Sequence, residues 1–286
     1  MLENIFISSY GNNILTTIGF LSVVDTKFIK RWNVIGNSSL ILLLRNLGMS
    51  LEQMRSEISN FDICLTMIDY FSVIPHDDDS KMNYVRDWIL EMIRRSGIFK
   101  EEVTLKELFK FTGIFSNFIS WNTNSREIVS INFLTQPETK LVDAVMSTLP
   151  CTGVFSSYTY SNYTFGNLQS IIVYPEGHIV MDKDKSKNLA IINNTNVSRP
   201  FLEIDTSPLA ALEKGIIDQF LSRIEKFSPV KSYLVKIFSS MTFEEVTNEK
   251  KMSLYQTGRR QGESYLRGTG TRGGYINSVN LIKNQT

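Results

Sequence analysis

The fold is decided by residues 32–47, which have the sequence WNVIGNSSLILLLRNL. The segment up to Ile35 is short and largely apolar, which predicts a buried strand. Gly36 and the small polar residues after it predict a turn. The run from Leu40 to Leu47 predicts a helix that is apolar on nearly every side, and such a helix belongs in the middle of a domain. The sequence therefore predicts a strand, a sharp turn and a buried helix at the centre of the fold.

Strands and helices alternate on both sides of this segment. Upstream, residues 4–8 form a short apolar run that predicts a strand, and a helical pattern follows a polar loop. Downstream, Ser50 with Gln53 and Thr104 with Glu107 have the spacing of capping boxes, which mark helix starts. Further helices are predicted over residues 84–98, 140–149 and 208–227, and strands over residues 115–122, 127–133 and 158–174. The alternation predicts an α/β domain of three layers.

Composition and charge exclude several classes of protein. Of the 286 residues, 42% are hydrophobic and 21% are charged, which is ordinary for a packed protein and unlike a disordered chain or a disulfide scaffold. The net charge of +1 gives no general attraction to nucleic acid or to an anionic membrane. Two cysteines and two histidines leave little material for a metal centre, so we expect no metal and no cofactor.

The sequence also carries no obvious targeting segment. No apolar run approaches the roughly 20 residues that span a bilayer. The first residues lack the basic start of a secretory signal. We therefore expect a soluble intracellular protein.

The composition changes after about residue 248, where glycine is interleaved with arginine. Residues 248–286 contain seven lysines or arginines against two glutamates, so this segment is basic. The pattern predicts an α/β domain over residues 1–247 and a Gly/Arg-rich tail or arm over residues 248–286. One interpretation is a flexible exposed tail, and the other is an arm that docks on a neighbouring subunit or on a polyanion. We expect a homo-oligomer, with the arm as the segment best suited to link subunits.

Five segments of the chain, in order, resemble motifs of the patatin-like phospholipase family. They lie at residues 5–21, 34–54, 105–113, 142–155 and 212–215, and together they cover about residues 4–225. The first resembles a strand, a Gly-Gly-Gly-x-Arg/Lys-Gly loop and a helix, and the second resembles a Gly-x-Ser-x-Gly elbow with the helix after it. The resemblance implies a three-layer patatin-like fold, in which helices flank a central, mostly parallel sheet. The family hydrolyses lipid acyl esters with a Ser–Asp dyad.

The resemblance places the family's catalytic serine at Gly36, which has no side chain and therefore no nucleophile. Glycine is also the residue that a strained strand-to-helix turn accepts most easily. Ser38 is a candidate for a displaced nucleophile. It lies two residues further on, turned by about 200° around the helix axis, which points it away from the cleft. We therefore expect Ser38 to be an N-cap or first-turn residue.

The family's aspartate has no counterpart in the matched region. Its Asp-Gly-Gly motif falls near Phe165 and Gly166, and no aspartate occurs between Asp143 and Asp182. The pair Glu176-Gly177 could imitate the motif, but it lies about one strand too late and is interpreted as an ordinary turn.

The family's oxyanion loop is altered as well. Backbone N–H groups of a Gly-rich loop stabilise the oxyanion in such sites. Here Ser9, Tyr10 and Gly11 stand where the family has three glycines. The Tyr10 side chain would crowd the place where backbone must approach a substrate closely.

Three hypotheses follow from these substitutions. The first is a catalytically inactive patatin-like protein, a pseudo-lipase with a structural or interaction role that self-associates. The second is a lipid acyl hydrolase that uses Ser38 or another serine. The third is a lipid-binding module that keeps an apolar cleft without turnover. The combined loss of nucleophile, base and oxyanion loop favours the first.

Overall fold

The structure is a computed structural model that describes residues 2–9, 13–61, 79–150, 158–166, 187–196, 234–240 and 247–268. Within these ranges the chain forms eight strands and seven helices. The strands are β1 (Asn4–Ser9), β2 (Arg31–Gly36), β3 (Phe115–Asn122), β4 (Glu127–Ile131), β5 (Tyr158–Tyr160), β6 (Tyr163–Gly166), β7 (Asn188–Asn196) and β8 (Leu234–Ser240). The helices are α1 (Asn13–Leu21), α2 (Ser38–Asn46), α3 (Leu51–Asn60), α4 (Asp79–Ser96), α5 (Leu105–Thr112), α6 (Leu141–Met146) and α7 (Asn248–Gly268).

The strands belong to one sheet whose central part is parallel. Its order is β5-β6-β3-β2-β1-β7-β8, with β4 paired to β3 outside this path. The strands β3, β2, β1, β7 and β8 pair in parallel, whereas β4, β5 and β6 pair antiparallel. Parallel neighbours need crossover connections, which place helices on the faces of the sheet.

Helices cover both faces of the sheet. On one face, the side-chain amide of Asn46 in α2 donates to the Ser116 hydroxyl of β3 at 2.9 Å. On the other face, Phe109 of α5 stacks on Phe133, and Phe133 makes an edge contact with Phe115 of β3. Phe115 and Ser116 are adjacent in the strand, so their side chains point to opposite faces. The predicted α/β fold, a central sheet flanked by helices, is confirmed.

Both predicted capping boxes are present. The Ser50 hydroxyl accepts the Gln53 N–H, and the Gln53 side chain accepts the Ser50 N–H. Thr104 and Glu107 are joined in the same reciprocal way at the start of α5. These motifs were predictable because all of their hydrogen bonds lie within one helical turn.

Other predicted elements differ from the structure in their bounds. The helix predicted over residues 84–98 is α4, which begins at Asp79 and ends at Ser96. The helix predicted over residues 140–149 is the shorter α6. The strand predicted over residues 158–174 is, as far as Gly166, the hairpin of β5 and β6. Its remainder and the helix predicted over residues 208–227 lie outside the described residues.

A row of buried asparagines crosses the sheet on the face that carries α5. The Asn117 side-chain amide donates to Asn33 Oδ1 at 3.0 Å, and Asn117 Oδ1 accepts the Asn132 side-chain amide at 3.0 Å. At one end of the row, the Asn33 amide donates to the Ile5 carbonyl oxygen. At the other end, Asn132 Oδ1 accepts the N–H of Leu134. The row therefore ties β1, β2, β3 and the segment after β4 into one register.

Helices α1 and α7 approach each other closely through three glycines. A Cβ added at any of them would overlap a backbone carbonyl of the facing helix. The facing pairs are Gly19 with Tyr255, Gly258 with Thr16, and Gly262 with Phe20. Gly258 and Gly262 are four residues apart, so they lie on the same face of α7.

Residues 248–268 are therefore packed onto the domain, and here the structure differs from the predicted tail. Tyr255 and Tyr265 of α7 are buried, and the Tyr265 ring centroid lies 5.6 Å from that of Phe20. The glycines that suggested flexibility are the residues that let the two helices meet. The rest of the predicted arm, residues 269–286, lies outside the described residues, and self-association through it stays a prediction.

Replacing Asn117 by alanine should lower the free energy of unfolding by about 2–4 kcal/mol, because Asn33 and Asn132 each lose a buried partner. Urea-induced unfolding followed by circular dichroism measures the change. Asn124→Ala is the control, because the Asn124 side chain is exposed and its amide donates to the Asn162 carbonyl oxygen, so this substitution should cost less than about 1 kcal/mol. Equal losses in the two variants would contradict the role of the row.

Gly258→Ala should destabilise the protein by roughly 1–3 kcal/mol, because the new methyl group overlaps the Thr16 carbonyl. The sign is diagnostic, since alanine in an unpacked helix is favoured over glycine by about 1 kcal/mol. Ser253→Ala, at an exposed position of α7, should leave the melting temperature unchanged or slightly raised. A stabilising Gly258→Ala would show that α7 does not pack on α1 in solution.

Candidate functional site

The turn between β2 and α2, residues 35–38, is the place where the resemblance puts the family's serine, and we call it the Gly36 turn. β2 ends at Gly36, whose φ of 65° lies in the left-handed region. After Asn37, α2 begins at Ser38. A residue with a side chain would be strained by roughly 1 kcal/mol in that backbone conformation, whereas glycine adopts it freely. Glycine thus occupies the sharp strand-to-helix position at which a nucleophile elbow has its serine.

The Ser38 hydroxyl is used inside the fold. It is fully buried, and its oxygen lies 2.6 Å from the Ile35 carbonyl oxygen and 2.9 Å from that of Ile7. It also accepts the Ser9 N–H at 3.2 Å. A hydroxyl has one hydrogen, so the two carbonyls share a single donor. Ser38 therefore joins the ends of β1 and β2 to the first turn of α2, while Asn37 is the N-cap residue.

The register of β3 brings the predicted aspartate position next to the Gly36 turn. Phe118 of β3 pairs with both β2 and β4, and Trp121 pairs with both β4 and β6. A strand residue has one partner on each side. β4 therefore pairs along one side of β3. On the other side, β2 pairs with the first part of β3 and β6 pairs with its last part. Gly36 ends β2 and Gly166 ends the antiparallel β6, so the two residues approach each other along β3.

Near the turn, hydroxyl groups bond to backbone, and one aromatic ring of the neighbouring β6 is buried. Phe165 is buried. The Thr148 hydroxyl lies 3.3 Å from the Gly36 carbonyl oxygen, and the Ser120 hydroxyl donates to the Ser147 carbonyl oxygen. Among the hydrogen bonds of the described residues, neither hydroxyl contacts a carboxylate.

Ser9 is the member of the predicted oxyanion loop that the structure describes, while Tyr10 and Gly11 lie outside the described residues. It pairs directly with Gly36 in the parallel ladder. Its N–H points to the Ser38 oxygen, so this donor is directed into the fold. Its own hydroxyl is buried and has no hydrogen-bond partner among the residues that the structure describes.

A buried carboxylate that sequence reasoning did not single out lies on α6. Asp143 is buried and accepts a hydrogen bond from the Tyr158 hydroxyl of β5. Burial and this bond raise the pKa of Tyr158 well above its ordinary value, so the phenol is a protonated donor at neutral pH. Tyr158 lies opposite Phe165 in the hairpin, so the two side chains point to the same face of the sheet. The Tyr158–Asp143 pair therefore lies on the face to which Phe165 points, at the end of the sheet that carries the Gly36 turn. The sequence feature that could have identified this carboxylate is a single charged residue in the otherwise apolar helix Leu141–Met146.

The described residues contain neither a metal-binding cluster nor a membrane-spanning helix. Within those ranges no three histidine, cysteine, aspartate or glutamate side chains lie together as metal ligands would. No helix there is both long enough and apolar enough to cross a bilayer. Cys64, Cys151, His76 and His178 lie outside the described residues.

Solved structures of other proteins share this fold. VipD from Legionella pneumophila matches with a TM-score of 0.57 at 11% sequence identity, over 93% of this chain and 67% of VipD. The type III effector protein ExoU of Pseudomonas aeruginosa matches with a TM-score of 0.51 at 13% identity, over 95% of this chain and 54% of ExoU. Both have a patatin-like fold, so the fold that the resemblance implied is confirmed.

The chain spans about half of the length of ExoU, and at these identities the likeness concerns the fold alone. No protein-family model matches the sequence, and no curated protein sequence matches it.

Ser38→Ala should lower the free energy of unfolding by about 1–3 kcal/mol, because the buried Ser9 N–H and the two carbonyls lose their shared partner. Ser39→Ala is the matched control. The Ser39 hydroxyl is buried one residue further along α2 and has no partner within the described ranges, so its removal should be neutral or stabilising. Chemical unfolding of both variants checks the contrast, and equal effects would show that the Ser38 bonds contribute nothing.

Proposed function

We propose that this chain is a catalytically inactive protein of patatin-like fold, a pseudo-lipase with a structural or interaction role. The observation that carries the proposal is the left-handed glycine at the strand-to-helix turn, Gly36. The turn has the backbone shape of a nucleophile elbow but lacks the group that attacks an ester. Loss of a serine nucleophile alone costs on the order of a million-fold in turnover.

The serines beside the turn are poor substitutes for the missing nucleophile. An attacking hydroxyl needs a base that accepts its proton in the same step. The Ser38 hydroxyl faces backbone carbonyl oxygens, which are not bases at neutral pH, and it is fully buried. The Ser9 hydroxyl is buried and bonds to none of the described residues.

The segment that meets the turn supports the same conclusion. β6 brings Phe165 and Gly166 to the Gly36 turn, and neither residue can accept a proton. The buried carboxylate on this face, Asp143, already accepts the Tyr158 hydroxyl. With the chemistry absent, the fold offers a stable body whose surfaces contact other molecules.

Purified full-length chain should release product from p-nitrophenyl esters and from phospholipid vesicles no faster than buffer does. The Ser38→Ala and Ser9→Ala variants should give the same background rate, because no turnover depends on either hydroxyl. A lipase of known activity serves as the positive control, and circular dichroism verifies that each variant is folded. Wild-type turnover that disappears in either folded variant would establish the alternative, a lipid acyl hydrolase with a displaced nucleophile.

A further inference from the structure

We draw no further inference here: the strongest candidate, the exposed apolar surface around Phe111 and Leu134 at the end of the sheet opposite the Gly36 turn, carries nothing because the lysines and carboxylates beside it are balanced in charge and nothing in the structure shows what covers it.

Discussion

The left-handed backbone at Gly36 is the constraint on which the rest of the structure depends. There β2 passes into the buried helix α2, and the Ser38 hydroxyl fixes the passage by bonding to the ends of β1 and β2. An enzyme that keeps a serine at such a turn holds a strained residue in place for its chemistry. Glycine forms the same turn without strain. The shape of the turn therefore does not depend on a serine, because glycine supports the packing of α2 on the sheet without strain.

The C-terminal helix fixes a second element of the same region. Helix α1 follows β1 after the segment that the resemblance equates with the oxyanion loop, and α7 lies across α1 at the distance that Gly19, Gly258 and Gly262 permit. The N-terminal strand, the helix after it and residues 248–268 are thus parts of one packed unit. Residues 248–268, which the sequence predicted as part of a tail or arm, are instead packed on the domain.

Local signals explain which features the sequence predicted. The capping boxes, the strand–turn–helix around Gly36 and the strands β3 and β4 depend on residues close together in the chain, and the structure contains all of them. The α7 helix was missed because its glycines lower helix propensity, and the helix that requires them lies more than two hundred residues earlier. The Asn117 row and the Tyr158–Asp143 pair were missed for the same reason, since no local pattern shows which buried polar groups will meet. At Gly36, the sequence predicted the sharp turn but not the hydrogen bonds that the Ser38 and Thr148 hydroxyls make to backbone there.

The two ends of the parallel sheet have opposite character, and this division bears on what the fold can do. A lipid hydrolase needs an apolar surface around its nucleophile, because the substrate enters there from a membrane or micelle. Around the Gly36 turn the Ser38, Ser120 and Thr148 hydroxyls bond to backbone carbonyl oxygens, and Phe165 is buried. The two most exposed large apolar side chains of the described residues, Leu134 and Phe111, lie at the other end of the sheet. The most exposed apolar side chains thus lie away from the turn, whereas a lipid hydrolase needs apolar surface beside its nucleophile.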